Sequence, residues 1–408
     1  MRHDHTDWMI HFVRDRNPDQ DFPGDSEEEY DYYAGGELEA DASAFAVLKS
    51  VIRLGGIIPG YSFRGGRTTI YGGRPTVCAS EMPIYSFATY VRERAKTESV
   101  SAYGIAFKKT EFFETGGRPV IYGLSTEDVT YKINSPTMRI FDESVLPLSE
   151  QYRYVAYNPS GKPNWIDWSH EREWRWKVSD ENKDQIWGRD GFGCYGPIPA
   201  LPIFKGTLDG RPFTSVCIIV WTHEEAAEIQ EILTGFYLAG SNNYDTPFDR
   251  ALIQSSHIIV LQDVISAVEN DHSIEAQTIE GLNAANLLQP IKIHPTPAGA
   301  KKLVDEAMTV AVEASKQAAD AYASKHTIDG GACGYANIIT YDVTNPIVQY
   351  LLKEKIASGP YDGKVWIHVK ADIPVSQSID YNEHVAEAAQ KALSKALGIR
   401  LFVEARMD

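Results

Sequence analysis

Alternating charged and aromatic residues between Glu171 and Trp176 constrain this chain more than any other part of its sequence. The six residues read Glu-Arg-Glu-Trp-Arg-Trp. Such alternation is typical of a β-strand, because successive side chains point to opposite faces of a sheet. We therefore predict a strand with Glu171, Glu173 and Arg175 on one face, which gathers two carboxylates and a guanidinium at one place. The same pattern is also typical of a surface strand with a ladder of salt bridges.

Length, charge and cysteine usage limit the classes of protein that the chain can belong to. With 408 residues it is too long for one average domain, so we expect two or three. A formal charge of −17 disfavours broad nucleic-acid binding, although a local basic groove stays open. Four cysteines without a C-x-x-C pair argue against a structural zinc site and a disulfide framework, and fit a reducing cytoplasm. No run of about 18 apolar residues is present, so we expect a cytoplasmic protein with no membrane segment.

Hydrophobic patterns predict an α+β fold in two domains. Residues 42–54 have helical periodicity and are followed by Gly55-Gly56, a signal for a helix C-terminus. Composition changes over residues 271–297, so we predict one domain over residues 1–275 and another over 290–408. The predicted strands and strand–helix pairs of the first domain are 8–13, 75–80, 102–107, 119–122, 215–236 and 258–269.

The C-terminal domain is predicted to be a smaller α+β unit. Its alanine-rich segment 297–325 has helical spacing, with Thr296 as N-cap and Pro297 as the first helical residue. Strands at 336–341, 365–369 and 399–404 and a helix at 382–397 complete the predicted unit. Its separateness suits a module that binds a protein partner.

Six short segments of residues 8–265 together carry a resemblance to a known family. They are Ile10-His-Phe-Val13, residues 48–57, Thr76-Val-Cys-Ala-Ser-Glu-Met-Pro-Ile84, Tyr103-Gly-Ile-Ala-Phe-Lys108, Gly117-Arg-Pro-Val-Ile-Tyr122 and Glu171-Arg-Glu-Trp-Arg175. In this order they resemble the abortive-infection AbiGi-type family and, more distantly, DarT-like ADP-ribosyltransferases. The resemblance implies a split mixed sheet of the ADP-ribosyltransferase type for the first domain, and NAD as the substrate. Members of the AbiGi group are commonly described as phage-defence antitoxins, so family membership alone does not imply catalysis.

By this resemblance His11 contacts a ribose, Tyr103 stacks on nicotinamide, and Glu173 or Glu171 is the catalytic carboxylate. An ADP-ribosyltransferase breaks the bond between nicotinamide and ribose through an oxocarbenium-like transition state, which a carboxylate stabilises. Arg175 would hold that carboxylate or a phosphate. Each residue also has a simpler structural interpretation: His11 as a half-buried histidine, Tyr103 as a core residue, and Glu173 and Arg175 as an ion pair on one strand face.

Three hypotheses about function follow from these patterns. The first is an NAD-consuming ADP-ribosyltransferase or NAD glycohydrolase in phage–host conflict. The second is a non-catalytic antitoxin or interaction protein that keeps the fold. The third is a metal-dependent nuclease or other hydrolase that uses His170, Glu171 and Glu173. The third needs a β-bulge, because adjacent residues of a regular strand face opposite sides.

Overall fold

The chain folds into two compact units. The computed structural model describes residues 6–17, 38–39, 41–64, 67–94, 101–123, 129–132, 137–158, 167, 169–178, 186–189, 195–205, 213–242, 246–361 and 363–407. The first unit comprises Met1–Gln230 with Ser241–Ile291, and the second comprises Glu231–Gly240 with Lys292–Asp408. The short segment of the second unit is the end of a long helix, and its Leu238 lies in the hydrophobic core of that unit.

The first unit contains most of the strands of the described chain. They are β1 (Trp8–Val13), β2 (Gly56–Ile57), β3 (Phe63–Arg64), β4 (Arg67–Tyr71), β5 (Thr76–Ser80), β6 (Tyr103–Lys108), β7 (Arg118–Pro119), β8 (Ile121–Gly123), β9 (Val129–Lys132), β10 (Thr137–Ile140), β11 (Tyr154–Ala156), β12 (Glu173–Lys177), β13 (Ile186–Arg189), β14 (Tyr195–Ile198), β15 (Leu201–Pro202), β16 (Val216–Val220), β17 (His257–Val260) and β18 (Gln289–Pro290).

Among the described residues, eight α-helices begin in the first unit. They are α1 (Ala44–Leu54), α2 (Ile84–Arg94), α3 (Lys109–Glu114), α4 (Leu148–Gln151), α5 (His223–Ala239), α6 (Arg250–Ser255), α7 (Leu261–Asn270) and α8 (Ile279–Ala284). Helix α1 shows why the sequence signals work locally. The Ser43 side chain accepts a hydrogen bond from the amide of Ala46, and Gly55 ends the helix at a φ of 73°, in the left-handed region that glycine adopts without strain. The predicted helix is therefore confirmed, with its first turn starting two residues later than expected.

A mixed eight-stranded sheet forms the centre of the first unit. Its strand order is β18-β17-β16-β6-β1-β5-β12-β7. Only β16 and β17 run parallel within it, and the other neighbours are antiparallel. Trp8, Met9 and Ile10 of β1 and every residue of β16 are buried, which explains the unbroken apolar runs of these strands. Two of the smaller sheets, β3-β4-β10-β9 and β11-β8, belong to the same unit. The α+β class that the sequence predicts is confirmed.

The second unit is a smaller α+β structure. Its helices and strands are α9 (Ala300–Ala323), β19 (Gly334–Thr340), α10 (Pro346–Lys353), β20 (Ala357–Tyr361), β21 (Lys364–Ile367), α11 (Ile379–Leu397) and β22 (Phe402–Met407). The strands form one antiparallel sheet in the order β20-β21-β19-β22, a split β-α-β-β-α-β arrangement preceded by α9.

The start of α9 corrects a sequence prediction. Thr296 and Pro297 were expected to begin this helix, but it begins at Ala300 after Gly299, whose φ is 77°. The amide of Ala300 donates to the carbonyl of Pro297, so residues 297–300 form a turn that precedes the helix. None of the helices in the described parts of the chain is long and apolar enough to cross a membrane.

Candidate functional site

A cavity of about 590 Å³ in the first unit collects most of the residues that the sequence marked as functional. This volume is typical of a pocket for a small-molecule ligand. The walls come from the large sheet at β1, β5 and β12, and from β4, β10 and β11 of the smaller sheets. His11, Glu171, Glu173 and Arg175 all line it, although more than 150 residues separate the first from the others.

Strand β12 positions Glu173 and Arg175 on one wall of this cavity. Antiparallel pairing with β5 places Glu173 opposite Ser80 and Arg175 opposite Cys78. The alternation of the sequence is therefore confirmed over β12, where Glu173 and Arg175 share a face. Arg175 Nε donates to Glu173 Oε1 at 2.8 Å, and Nη2 is 3.4 Å from Oε2. The two side chains thus make the ion pair that the structural interpretation of the sequence expects.

Arg175 also holds the neighbouring backbone. Its Nη1 donates to the carbonyl oxygens of Tyr152 at 2.7 Å and Tyr154 at 3.2 Å. The side chain is only 4% exposed, so its charge depends on Glu173 and on these carbonyls for stabilisation. Of the two roles expected for Arg175, the geometry fits the one in which it holds the carboxylate, because its Nε and both terminal nitrogens already donate to protein groups.

Glu171 reaches the cavity by a different route from the one predicted. It ends a short 3-10 turn, Ser169–Glu171, and does not belong to β12. Arg172 follows with a φ of 45°, and this left-handed residue interrupts the regular strand. The Ser80 hydroxyl donates to the Glu171 carbonyl and ties the turn to β5. The prediction of one strand face carrying both glutamates is therefore wrong at Glu171, although both residues line the same cavity.

His11 presents a neutral imidazole to the site. Its Nδ1 is 2.8 Å from the carbonyl oxygen of Cys78, and since a carbonyl only accepts, Nδ1 carries the proton. Burial lowers the pKa of His11 below its ordinary value, and the bond to Cys78 only partly offsets this effect. At neutral pH Nε2 therefore has a lone pair that accepts a hydrogen bond, such as one from a ligand hydroxyl.

Cys78 lines the same cavity but is not an activated nucleophile. Burial, and next the negative charge of Glu173, raise the pKa of its thiol to about 12. Only a thiolate is strongly nucleophilic, so at neutral pH this sulfur acts as a weak hydrogen-bond donor. Thr76 Oγ1 lies 3.6 Å from the sulfur. We therefore assign Cys78 to the wall of the cavity.

Tyr103 is not among the residues that line the cavity, which corrects the expected stacking role. Its hydroxyl donates to Glu225 Oε1 at 2.6 Å, and its ring packs 5.5 Å from that of Phe45. Glu225 in turn accepts hydrogen bonds from the amides of Trp221 and Thr222, which cap the start of α5. The physical reason is strand order: Tyr103 lies on β6, which pairs with the edge of β1 opposite to β5, whereas β5 and β12 form the cavity wall.

Two arginines that the sequence interpretation missed also line the cavity. Arg14 follows β1, and Arg139 lies on β10, where its guanidinium is 4.1 Å from the centre of the Tyr71 ring. Hydroxyl groups of Thr68 and Thr69 on β4 contribute to the same lining. Single arginines without a motif carry no sequence signal, and only the parallel pairing of β10 with β4 brings Arg139 here. The cavity therefore holds cationic and hydroxyl groups as well as carboxylates.

The ligand set expected for a metal-dependent hydrolase is not assembled. His170 is exposed, does not line the cavity, and has its ring 6.4 Å from that of Tyr90. Within the described ranges of the chain, no group of three or more His, Cys, Asp or Glu side chains is arranged to hold a metal ion. The interruption of the strand at Arg172 therefore brings Glu171 to the cavity without His170.

Comparison with known proteins adds nothing to this geometry. The sequence matches no known family model, no curated protein and no solved structure.

Proposed function

We propose that this protein consumes NAD, as an ADP-ribosyltransferase or an NAD glycohydrolase. The observation that carries the proposal is that His11, Glu171 and Glu173 line one ligand-sized cavity, with Arg175 fixing Glu173. The setting of phage–host conflict rests on the resemblance to the AbiGi-type family alone. The location that we expect for the protein is the cytoplasm.

The proposed chemistry breaks the N-glycosidic bond of NAD. Its electron pair leaves with nicotinamide and neutralises the pyridinium charge, while positive charge develops on the ribose. An ionised carboxylate next to that ribose stabilises the transition state, and a fixed carboxylate does so without reorganisation. Glu173 fits this role because Arg175 holds both of its oxygens. Water or an acceptor nucleophile then attacks the ribose carbon and loses its proton, for which Glu171 is the candidate base.

The other polar groups of the cavity fit the rest of such a ligand. The neutral His11 accepts a hydrogen bond at Nε2 and suits a ribose hydroxyl. Arg14 and Arg139 bring positive charge to the lining and suit the pyrophosphate. This arrangement supports a dinucleotide more than a neutral sugar, because a pyrophosphate brings negative charge to a lining that contains cationic groups.

The test is release of nicotinamide from NAD by the purified protein and its variants. We expect release by the parent and loss in Glu173→Gln, which keeps the size of the side chain but removes its charge. Since that change leaves the buried Arg175 charge without its carboxylate, the assay is run well below the melting temperature of the variant. Glu171→Gln tests the competing carboxylate. The matched control is Glu269→Gln, because Glu269 also pairs with an arginine, Arg92 at 2.6 Å, but does not line the cavity.

Binding is measured separately from turnover. A ligand at about 100 times its Kd stabilises the folded state by roughly 2.7 kcal/mol, which a thermal shift detects. NAD is therefore expected to raise the melting temperature of both the parent and the Glu173→Gln variant. If the parent protein neither releases nicotinamide nor shows a thermal shift with NAD, the result would favour the alternative function. That alternative is a non-catalytic antitoxin or interaction protein of a phage-defence system.

A further inference from the structure

One face of the sheet in the second unit carries mostly exposed or half-exposed side chains. The helix-facing side carries Ile338, Ile367 and Val403, which pack in the hydrophobic core of this unit. Because side chains alternate along a strand, the neighbouring positions face the other way. We call this side the open sheet face, and its residues are Tyr335, Asn337 and the buried Ile339 on β19, Lys364 and Trp366 on β21, Phe402, Glu404 and Arg406 on β22, and the flanking Arg400 and Tyr341.

Aromatic rings on the open sheet face are exposed to an unusual degree. Tyr335 is 41% exposed and Tyr341 is 55% exposed. The Tyr341 ring meets that of Phe402 edge-on at 5.7 Å, and Tyr335 lies at the other end of β19, about 20 Å away along the strand. Exposed rings at both ends of β19 are suited to an extended ligand that lies along the strand.

The charge of the open sheet face identifies the chemistry of its partner. Lys364 Nζ is 2.6 Å from Glu404 Oε1, so these two charges neutralise each other. Arg400 lies over the Phe402 ring at 5.0 Å, and Arg406 is exposed beside Tyr335 in the strand pairing. Among the described residues no carboxylate is within ion-pair distance of either arginine. Lys364 and, to a smaller extent, Arg406 lower the pKa of Glu404, so this one carboxylate faces two cations. The open sheet face therefore carries three positive side chains and one negative one, on a chain whose net charge is −17.

We propose that the open sheet face binds single-stranded nucleic acid. Exposed rings on a four-stranded sheet offer surfaces on which unpaired bases stack, and arginines beside them contact the phosphates. A protein partner fits less well, because Lys364 and Glu404 lie on the same face, and lysine and glutamate are depleted at protein interfaces. Duplex DNA fits less well too, since the face is a sheet without a helix that projects into a groove. This inference does not depend on the proposed NAD chemistry.

The experiment uses the full chain and two fluorescent 12-nucleotide probes, oligo-U and oligo-dT, in an anisotropy titration over a range of KCl concentrations. Each phosphate contact contributes about −0.7 to the slope of log K against log salt for a single strand. Two arginines therefore give an expected slope of about −1.4. Binding to both probes indicates recognition by stacking, and a preference for one identifies RNA or DNA as the ligand. A 12-base-pair duplex serves as a third probe. No binding to any probe at low salt, or binding to the duplex only, would overturn the proposal.

Two variants assign the binding to this face. Tyr335→Ala is expected to weaken binding about tenfold, a typical effect of removing one stacking ring. Arg406→Gln is expected to make the salt slope shallower by about 0.7. Arg406 is exposed, so this variant reports on binding even if Tyr335→Ala does not fold.

The controls change the same chemical groups elsewhere. Lys391→Gln removes one positive charge from the exposed side of α11. Phe113→Ala removes an exposed ring of the first unit that also has an arginine, Arg118, over it at 4.1 Å. Both are expected to leave the Kd and the salt slope unchanged. Equal effects of the control and test variants would contradict the assignment to the open sheet face.

Discussion

Glu173 and Arg175 lie two residues apart on one face of β12 and form an ion pair with an Nε–Oε1 distance of 2.8 Å. The pair is nearly enclosed, since the side chains are 13% and 4% exposed. Arg175 also donates to the carbonyls of Tyr152 and Tyr154. Arg175 therefore connects the candidate catalytic carboxylate to the backbone at Tyr152 and Tyr154, and we regard it as a positioning residue.

Arg175→Met is expected to lower the free energy of unfolding by about 3 kcal/mol, because it leaves the carboxylate of Glu173 without its partner. This value is the lower end of the range for breaking a buried ion pair, since Glu173 keeps slight contact with solvent. Urea denaturation measures the change. The double variant Arg175→Met, Glu173→Gln is expected to be more stable than Arg175→Met, since no uncompensated charge is left. The control pair is Lys49 and Glu228, which is more exposed, so Lys49→Met should cost at most about 1 kcal/mol. Equal losses at the two sites would contradict this account.

Tyr103→Phe is expected to reduce the free energy of unfolding by about 1 kcal/mol and to leave nicotinamide release unchanged. The variant removes the hydroxyl that donates to Glu225, and one hydrogen bond contributes about this much. The ring and its contact with Phe45 are kept. Urea denaturation and the nicotinamide assay are run on the same preparation. A large loss of turnover at unchanged stability would return Tyr103 to the candidate site.

Stability is expected to decrease at mildly acidic pH partly because of His11. Burial lowers the pKa of His11 in the folded state below the ordinary value of about 6.5 that applies to the unfolded chain. Between these two pKa values the unfolded chain binds the proton and the folded chain does not. The free energy of unfolding therefore decreases as the pH falls through this interval, by at most about 1.4 kcal/mol per pH unit from this group.

The variant that isolates this effect is His11→Gln, whose amide can still donate to the Cys78 carbonyl. Urea denaturation at pH 7, 6 and 5 should show a smaller loss of stability for the variant than for the parent. Burial also lowers the pKa of His257 and His368, but these groups act equally in both proteins and cancel in the difference. Parallel curves for the two proteins would show that His11 titrates alike in the folded and unfolded states.

Alkylation with iodoacetamide at pH 8 is expected to modify Cys333 before Cys78 and Cys217. Cys333 is exposed. Burial raises the pKa of the Cys78 thiol to about 12 and also raises the pKa of the buried Cys217, so both have little thiolate. Mass spectrometry of the peptides after timed quenching measures the order. In guanidinium chloride the three should react at similar rates, and fast labelling of Cys78 in the native protein would contradict the site geometry.

Local chemistry was predictable from the sequence where neighbouring residues decide it. The capping by Ser43 and the left-handed Gly55 bound α1, and the alternation of Glu173 to Trp176 follows from the pleat of β12. The same rule failed at Glu171, because the left-handed conformation of Arg172 separates Glu171 from the first residue of β12, Glu173. A positive φ at an arginine is rare. Here Arg172 exchanges hydrogen bonds with Glu81, which is distant in sequence, so a local pattern could not predict this conformation.

By itself the sequence determined the α+β class, most strands of the large sheet, helices such as α1 and α5, and the carboxylates and histidine of the candidate site. Only the tertiary structure decided which of these residues meet. Strand order placed β1 beside β5 and β5 beside β12, which gathered His11, Cys78 and Glu173. It also placed β6 on the other side of β1, where Tyr103 bonds to Glu225. Arg139 joined them through a strand of another sheet. The physical reason is that strand pairing is a long-range choice, set by the burial of whole faces, whereas helical periodicity and capping depend on residues a few positions apart.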